Sequence, residues 1–130
     1  MDTQIARIKD LPVNKLTKLC NDRAVAAGWW DDYNTMPQEY KKYFIGTKIA
    51  LIHSEASESL EGYRKAKRDD HLPERPSVEV ELADTIIRIL DLAGELGLDL
   101  GGAIEDKLGY NATRPDHTRE ARAAAGGKSL

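Results

Sequence analysis

Two pairs of carboxylates in this chain repeat the spacing of neighbours on a helix. Glu55 and Glu58 are three residues apart, as are Glu81 and Asp84, and 22 residues separate the two pairs. Side chains three or four positions apart are adjacent on a helix surface, so each pair sets two negative charges side by side. Water can screen that repulsion on a solvated face, or a bound cation can relieve it. The spacing alone leaves a solvated acidic face and a metal site both open.

The residues between the pairs favour the metal site. The segment RDDHLPERP (68–76) carries two prolines and predicts a loop, and helices joined by a short loop usually pack antiparallel. The two pairs can then face each other, so that four carboxylates converge. Oxygen ligands without cysteine or a nearby histidine favour Mg²⁺, with Mn²⁺ as a substitute, and Mg²⁺ commonly joins carboxylates to substrate phosphates. A di-iron site is improbable because it requires Glu-x-x-His pairs, and the chain has none.

Apolar periodicity predicts the elements that position these residues. We expect helices over residues 5–27, 38–67, 77–96 and 100–109, with Gly28 and Gly97 ending the first and third and Ser77 capping the third. Residues 29–37 are expected to be irregular. No alternating run requires a sheet, so the predicted fold class is all-α, an antiparallel bundle of about four helices. The prediction is a single domain over residues 1–130, with 115–130 as an extended tail that becomes ordered on binding or assembly.

The third predicted helix carries more apolar residues than one buried face requires. Its expected core stripe is Leu82, Ile86, Ile89, Ala93 and Leu96. A second stripe lies beside it, formed by Ala83, Ile87 and Leu90. A helix with two apolar stripes has to bury two faces. We therefore expect a homo-oligomer, and the family resemblance described below implies a homodimer or a homotetramer.

Composition excludes several classes of function. The net charge of −3 is spread over interspersed positive and negative residues, which argues against stable nucleic-acid binding. The single cysteine, Cys20, excludes an internal disulfide and a multi-cysteine zinc site. No apolar run approaches a membrane span, and the start MDTQIARIKD lacks the apolar segment of a signal peptide. These features predict a cytoplasmic protein with no membrane partner.

The two motifs and a downstream segment resemble one enzyme family. E55-A-S-E58 followed by E81-L-A-D84 resembles the ExxE…ExxD signature of MazG-like nucleoside triphosphate pyrophosphohydrolases. KLGYNATRP (107–115) and GGK (126–128) resemble segments that follow it in phage and bacterial members. The resemblance implies that the four carboxylates hold Mg²⁺ and are the catalytic groups. It also implies hydrolysis of (deoxy)nucleoside triphosphates at the α-phosphate to a monophosphate and pyrophosphate.

The resemblance further implies which residues bind the substrate. Lys107, Asn111 and Arg114 match positions suited to phosphate or sugar, and Tyr110 and Lys128 are further substrate contacts. Cations near helix-terminal carbonyls are an alternative explanation for Lys107 and Arg114. Many members carry another glutamate directly before the first motif glutamate, where this chain has Ser54. Which carboxylate orients the attacking water therefore stays open.

Aromatic residues are concentrated before the first motif. Six of the eight aromatics lie between residues 29 and 44, and flat rings stack on nucleobases with modest selectivity. Trp30 is the predicted base contact. The alternative is that these rings cap the bundle or line a dimer interface.

Two other functions compete with the enzyme. One is a module that binds a metal-nucleotide without turnover, as a sensor or regulator. The other is a structural helical subunit whose acidic face keeps it in solution. Glu61 and Asp91 extend the faces of the two motifs by one or two turns, and we interpret each as a solvated residue outside the site.

Overall fold

The computed structural model describes residues 11–127, and this part of the chain is helical. The helices are α1 (Pro12–Ala26), α2 (Asp31–Thr35), α3 (Gln38–Arg64), α4 (Ser77–Glu95), α5 (Leu100–Thr113), a 3-10 turn (Pro115–His117) and α6 (Arg119–Ala123). Residues 11–127 contain no strand, only an isolated bridge of Arg68 with Pro76. The all-α prediction is confirmed. The expected helical residues 5–10, and Lys128, lie outside the described range.

Glycines end two helices as predicted, each through the same backbone motif. After α4, Gly97 has φ of +64°, its N–H donates to the Gly94 carbonyl, and the Leu98 N–H donates to Ala93. After α1, Gly28 has φ of +83° and the same pair of bonds recurs. A left-handed residue lets the chain satisfy the last carbonyls of a helix, and glycine adopts that conformation without a Cβ clash.

α3 and α4 pack antiparallel, as the loop between them predicts. Gly62 lies against Ser77 near the loop, Glu58 lies beside Glu81 further along, and Glu55 pairs with Arg88 beyond that. Along the interface the residue numbers therefore fall on α3 while they rise on α4, as antiparallel packing requires. A Cβ on Gly62 would lie 2.7 Å from the Ser77 hydroxyl oxygen, so this glycine permits the close approach of the two helices.

Several predicted boundaries are wrong. Residues 31–35 form α2 instead of an irregular stretch, with Asp31 and Asp32 in its first turn, where the helix dipole favours acidic side chains. Ser77 is the first residue of α4 rather than its cap, because the extended Pro76 occupies the cap position. α5 continues through Gly109 to Thr113, since one exposed glycine costs a helix only about 1 kcal/mol.

The chain divides into two compact units. One unit is Lys15–Leu98, which contains α2, α3, α4 and most of α1. The other contains Asn14 and residues 99–127. In that second unit Asn14 accepts the Gly101 N–H at 2.9 Å and donates to Asp99, which caps α5. This division into units does not test the expectation of a single domain, which stays a prediction.

The buried core of Lys15–Leu98 is smaller than predicted. Its buried apolar residues are Trp30, Leu90, Leu92 and Ala93. Leu82 and Ile86, predicted in the core stripe of α4, are 50% and 52% exposed, so that part of the prediction is wrong for a single chain. Homo-oligomerisation stays a prediction. In such an oligomer a second copy would have to cover Leu82 and Ile86. No helix in residues 11–127 has the length and apolar content needed to cross a bilayer.

Candidate metal centre

Three of the four motif carboxylates converge where α3 and α4 face each other. Oxygens of Glu55, Glu81 and Asp84 all lie within 4.8 Å of one another. The antiparallel packing produces this cluster, since it sets the second half of α3 against the first half of α4. Three carboxylates at this separation could hold a divalent cation, and hard ions such as Mg²⁺ and Mn²⁺ prefer carboxylate oxygens as ligands.

Glu58 is the fourth motif carboxylate and lies beside the cluster. It is exposed, and it shares a hydrogen bond with Glu81 when Glu81 is protonated. Partial burial, the charge of Glu58, this hydrogen bond, and the charges of Glu55 and Asp84 raise the pKa of Glu81 to about 7. The arrangement therefore penalises a full set of negative charges, and either a proton or a cation relieves it.

Asp84 is in a similar environment. Burial, followed by repulsion from Glu55 and Asp69, raises the pKa of its carboxyl group, while Arg88 opposes the shift. Asp69 lies in the loop after α3, where its side chain accepts the backbone N–H groups of His71 and Leu72. That loop therefore adds negative charge near the cluster.

Arg88 supplies positive charge within the cluster. Its Nε donates to Glu55 Oε1 at 2.6 Å, and the Glu55 side chain is only 14% exposed. Arg88 follows Asp84 by four positions, so both project from the same face of α4. Arg88 thus occupies a carboxylate that a divalent cation would need.

A cavity of about 610 Å³ opens beside the cluster, and Glu55 and Asp84 belong to its wall. This volume lies in the range of small-molecule sites. The other lining residues come from α1, the turn after it, α3 and α4: Leu16, Leu19, Cys20, Arg23, Ala24, Trp29, Lys48, Ile87, Arg88 and Asp91. The cavity therefore joins an acidic end to a wall with apolar and basic side chains.

Trp30 and Asp91 have structural partners. Trp30 is 0% exposed, and its indole N–H donates to Asp91 Oδ1 at 2.9 Å. The Asn21 amide donates to the same oxygen at 3.0 Å. Asp91 is therefore not the solvated residue that the sequence indicated, because it anchors α1 and the Trp30 segment to α4. The ring of Trp30 is enclosed, whereas its neighbour Trp29 is 67% exposed. Glu61 does lie on the surface, paired with Arg64 and Lys65.

Most of the predicted downstream substrate contacts lie together in the second unit. The Lys107 ammonium is 4.8 Å from the centre of the Tyr110 ring, and the Arg114 guanidinium carbon is 5.6 Å from it. Arg114 also binds Asp116 through two nitrogens, at 2.9 and 2.6 Å. Asn111 Oδ1 is buried and has no hydrogen-bond partner in the described residues. Substrate binding by these four residues stays a prediction, as it does for Lys128.

Among the residues of the cavity wall, sequence reasoning missed Arg88 and Lys48, and it grouped Trp29 with five other aromatics while choosing Trp30. Periodicity offered a signal for both missed residues: Arg88 is one turn beyond Asp84, and Lys48 is two turns before Glu55. Trp29 gave no such signal, because two adjacent tryptophans look alike in a sequence and only packing separates them. In comparisons with known proteins, no family model, curated protein or solved structure matches the chain.

Proposed function

We propose that this protein hydrolyses nucleoside triphosphates, including deoxynucleotides, at the α-phosphate, with Mg²⁺ bound by Glu55, Glu81 and Asp84. The observation that carries the proposal is the convergence of these three carboxylates within 4.8 Å at the wall of a nucleotide-sized cavity. The resemblance of both motifs to MazG-like enzymes supports the same reaction. Bound Mg²⁺ would neutralise the charge of the triphosphate and polarise its phosphorus–oxygen bonds.

The charges of the site allow a polyanionic substrate to bind only when cations neutralise the carboxylates. Four carboxylates alone would repel a triphosphate. Arg88, Lys48 and Arg23 line the cavity and supply positive charge on its protein wall. Arg88 can exchange Glu55 for a phosphate oxygen when a cation takes its place on the carboxylate. The substrate is therefore bound together with its metal rather than alone.

Glu58 is the proposed general base. It lies outside the three-carboxylate cluster, is exposed, and lies beside Glu81. Among the motif carboxylates it is therefore the one that metal binding requires least. Glu58 accepts a proton from the water that attacks the α-phosphorus. The bond from that phosphorus to the bridging oxygen breaks, and pyrophosphate leaves with the bonding electrons.

The test is hydrolysis of a panel of ribo- and deoxynucleoside triphosphates with Mg²⁺ or with a chelator. We expect monophosphate and pyrophosphate as the only products, and a loss of about 10²- to 10⁴-fold in Glu58→Gln. Glu61→Gln is the matched control, because Glu61 lies on the same helix in surface ion pairs, and it should retain full activity. Release of inorganic phosphate, or an unchanged rate in Glu58→Gln, would overturn the assignment. Metal-dependent nucleotide binding without turnover would instead identify the sensor module.

A further inference from the structure

The ion pair of Glu55 with Arg88 neutralises part of the carboxylate cluster from within. Arg88 Nε donates to Glu55 Oε1 at 2.6 Å, and Glu55 is one of the three carboxylates whose oxygens lie within 4.8 Å of one another. The Glu55 side chain is only 14% exposed, so water compensates its charge poorly. Arg88 also opposes the rise in the pKa of Asp84, so its charge reaches a second carboxylate of the cluster. The guanidinium therefore acts where a divalent cation would act.

The rest of the guanidinium faces the cavity. Nε makes the only side-chain hydrogen bond of Arg88 within residues 11–127, so its two terminal nitrogens keep their donors. The side chain is 39% exposed and belongs to the cavity wall. Two parallel N–H groups match two oxygens of a phosphate group, which is the pairing that arginine makes most strongly. Arg88 can therefore bind either a carboxylate of the cluster or a phosphate in the cavity.

Each ligand by itself disturbs the Glu55–Arg88 pair at a cost. A divalent cation on Glu55 displaces Arg88, and the two positive charges then repel each other. A metal-free polyphosphate that draws Arg88 away leaves the three carboxylates uncompensated and is repelled by them as well. When both ligands bind, the pair is broken only once, and the phosphates supply negative charge to the ion and the guanidinium together. A cost that two ligands share appears as positive coupling between them.

We infer that the Glu55–Arg88 pair couples the two ligands, so that the metal ion enters and leaves the site with the phosphates instead of residing on the protein. The inference rests on the proposed function for the class of ligand, a divalent cation with a polyphosphate. Between turnovers Arg88 keeps free Mg²⁺ out of the cluster by holding Glu55. When phosphates arrive with their cation, Arg88 transfers to a phosphate and Glu55 becomes free for the ion.

The test is a set of three affinities measured by calorimetry. The probes are Mg²⁺ alone, a deoxynucleoside triphosphate with a non-hydrolysable α,β-methylene bridge in chelator, and the Mg²⁺ complex of that nucleotide. Arg88→Gln should bind Mg²⁺ alone a few-fold more tightly and the Mg²⁺ complex about 10- to 100-fold more weakly, the loss expected for hydrogen bonds to a charged group. A variant that merely folds poorly would lose affinity for both. Arg64→Gln, which removes a surface arginine of α3, is the matched control and should leave all three affinities unchanged.

Glu55→Gln tests the pair from its other side. This substitution releases Arg88, whereas Glu81→Gln removes the same charge from the cluster and leaves Arg88 paired. Metal-free nucleotide should therefore bind Glu55→Gln several-fold more tightly than Glu81→Gln. Equal affinities of these two variants would overturn the inference, because the release of Arg88 would then contribute nothing.

The Arg88→Gln affinities can also overturn the inference. They do so if Mg²⁺ alone and the Mg²⁺ complex both weaken by the same factor, or if neither affinity changes. Because the probes are not hydrolysed, these outcomes are independent of turnover. Coupled binding in a protein that hydrolyses no nucleotide would refute only the hydrolase. Hydrolysis by a protein whose Arg88→Gln variant binds both ligands like the parent would refute only the coupling.

Discussion

The two halves of α4 carry carboxylates in opposite circumstances. In the first half, Glu81 and Asp84 face other acidic groups, and burial and repulsion raise the pKa of both. In the second half, Asp91 accepts hydrogen bonds from Trp30 and Asn21. A carboxylate that is supplied with N–H donors stabilises the fold, whereas carboxylates that repel one another are relieved by a proton or by a bound cation. The position of a carboxylate on the helix face does not distinguish these two roles. The groups that contact the carboxylate do.

The largest expected effect comes from replacing Asp91, the carboxylate that accepts hydrogen bonds from Trp30 and Asn21. Asp91→Ala leaves the buried Trp30 indole N–H without its acceptor and removes one acceptor of the Asn21 amide, which still donates to Glu95. The free energy of unfolding should fall by about 2 kcal/mol. Chemical denaturation measures this loss. Asp91→Asn keeps one acceptor oxygen and should lose less. If Asp91→Ala unfolds at the same denaturant concentration as the parent, the contrast between the two halves of α4 fails.

Glu81→Gln should act in the opposite direction. Without metal the variant should be more stable than the parent by about 0.5 kcal/mol at pH 8, because one repelling charge is gone. The parent should gain about 1.4 kcal/mol when Mg²⁺ is tenfold above its dissociation constant, and the variant should lose most of this gain. Thermal unfolding with Mg²⁺ or a chelator distinguishes the two proteins. Equal stabilisation of both by Mg²⁺ would show that Glu81 is not a ligand.

The stability of the metal-free protein should depend on pH through Glu81. Its folded-state pKa of about 7 lies above the ordinary value of 4.5, so its favourable contribution is complete below 4.5 and is lost as pH rises through 7. Denaturation across this window should show the decline in chelator and a smaller one in Glu58→Gln, which lacks one repelling charge. Mg²⁺ affinity should increase with pH over the same window, since the ion displaces a proton. A flat profile in chelator would contradict the repulsion described for this half of α4.

The smallest expected effect concerns Arg88. Arg88→Gln removes the cation that pairs with Glu55, so Mg²⁺ should bind a few-fold more tightly in the absence of nucleotide. Titration of Mn²⁺ followed by its electron paramagnetic resonance signal measures this affinity. Arg64→Gln, which alters a surface pair with Glu61, should leave it unchanged. Weaker metal binding in Arg88→Gln would mean that Arg88 positions Glu55 rather than competing for it.

Local signals predicted much of the fold. The starts of α3 and α4, the glycine ends of α1 and α4 and the antiparallel packing of α3 with α4 follow from periodicity, proline and glycine positions and loop length. The convergence of Glu55, Glu81 and Asp84 follows from the same signals, because helical spacing and antiparallel packing suffice to bring them together. α2 was missed because a five-residue helix has too few turns to show a period.

The sequence by itself determined the four longer helices, the glycine ends of α1 and α4 and the three carboxylates that meet across α3 and α4, because these depend on residues close together in the chain. Only the tertiary structure decided that Trp30 is buried while Trp29 is exposed, that Asp91 is an anchor, and that Arg88 pairs with Glu55. The pair of Trp30 with Asp91 spans 61 positions and that of Glu55 with Arg88 spans 33. Contacts across such separations depend on which helix faces meet, and no local pattern of residues encodes that choice.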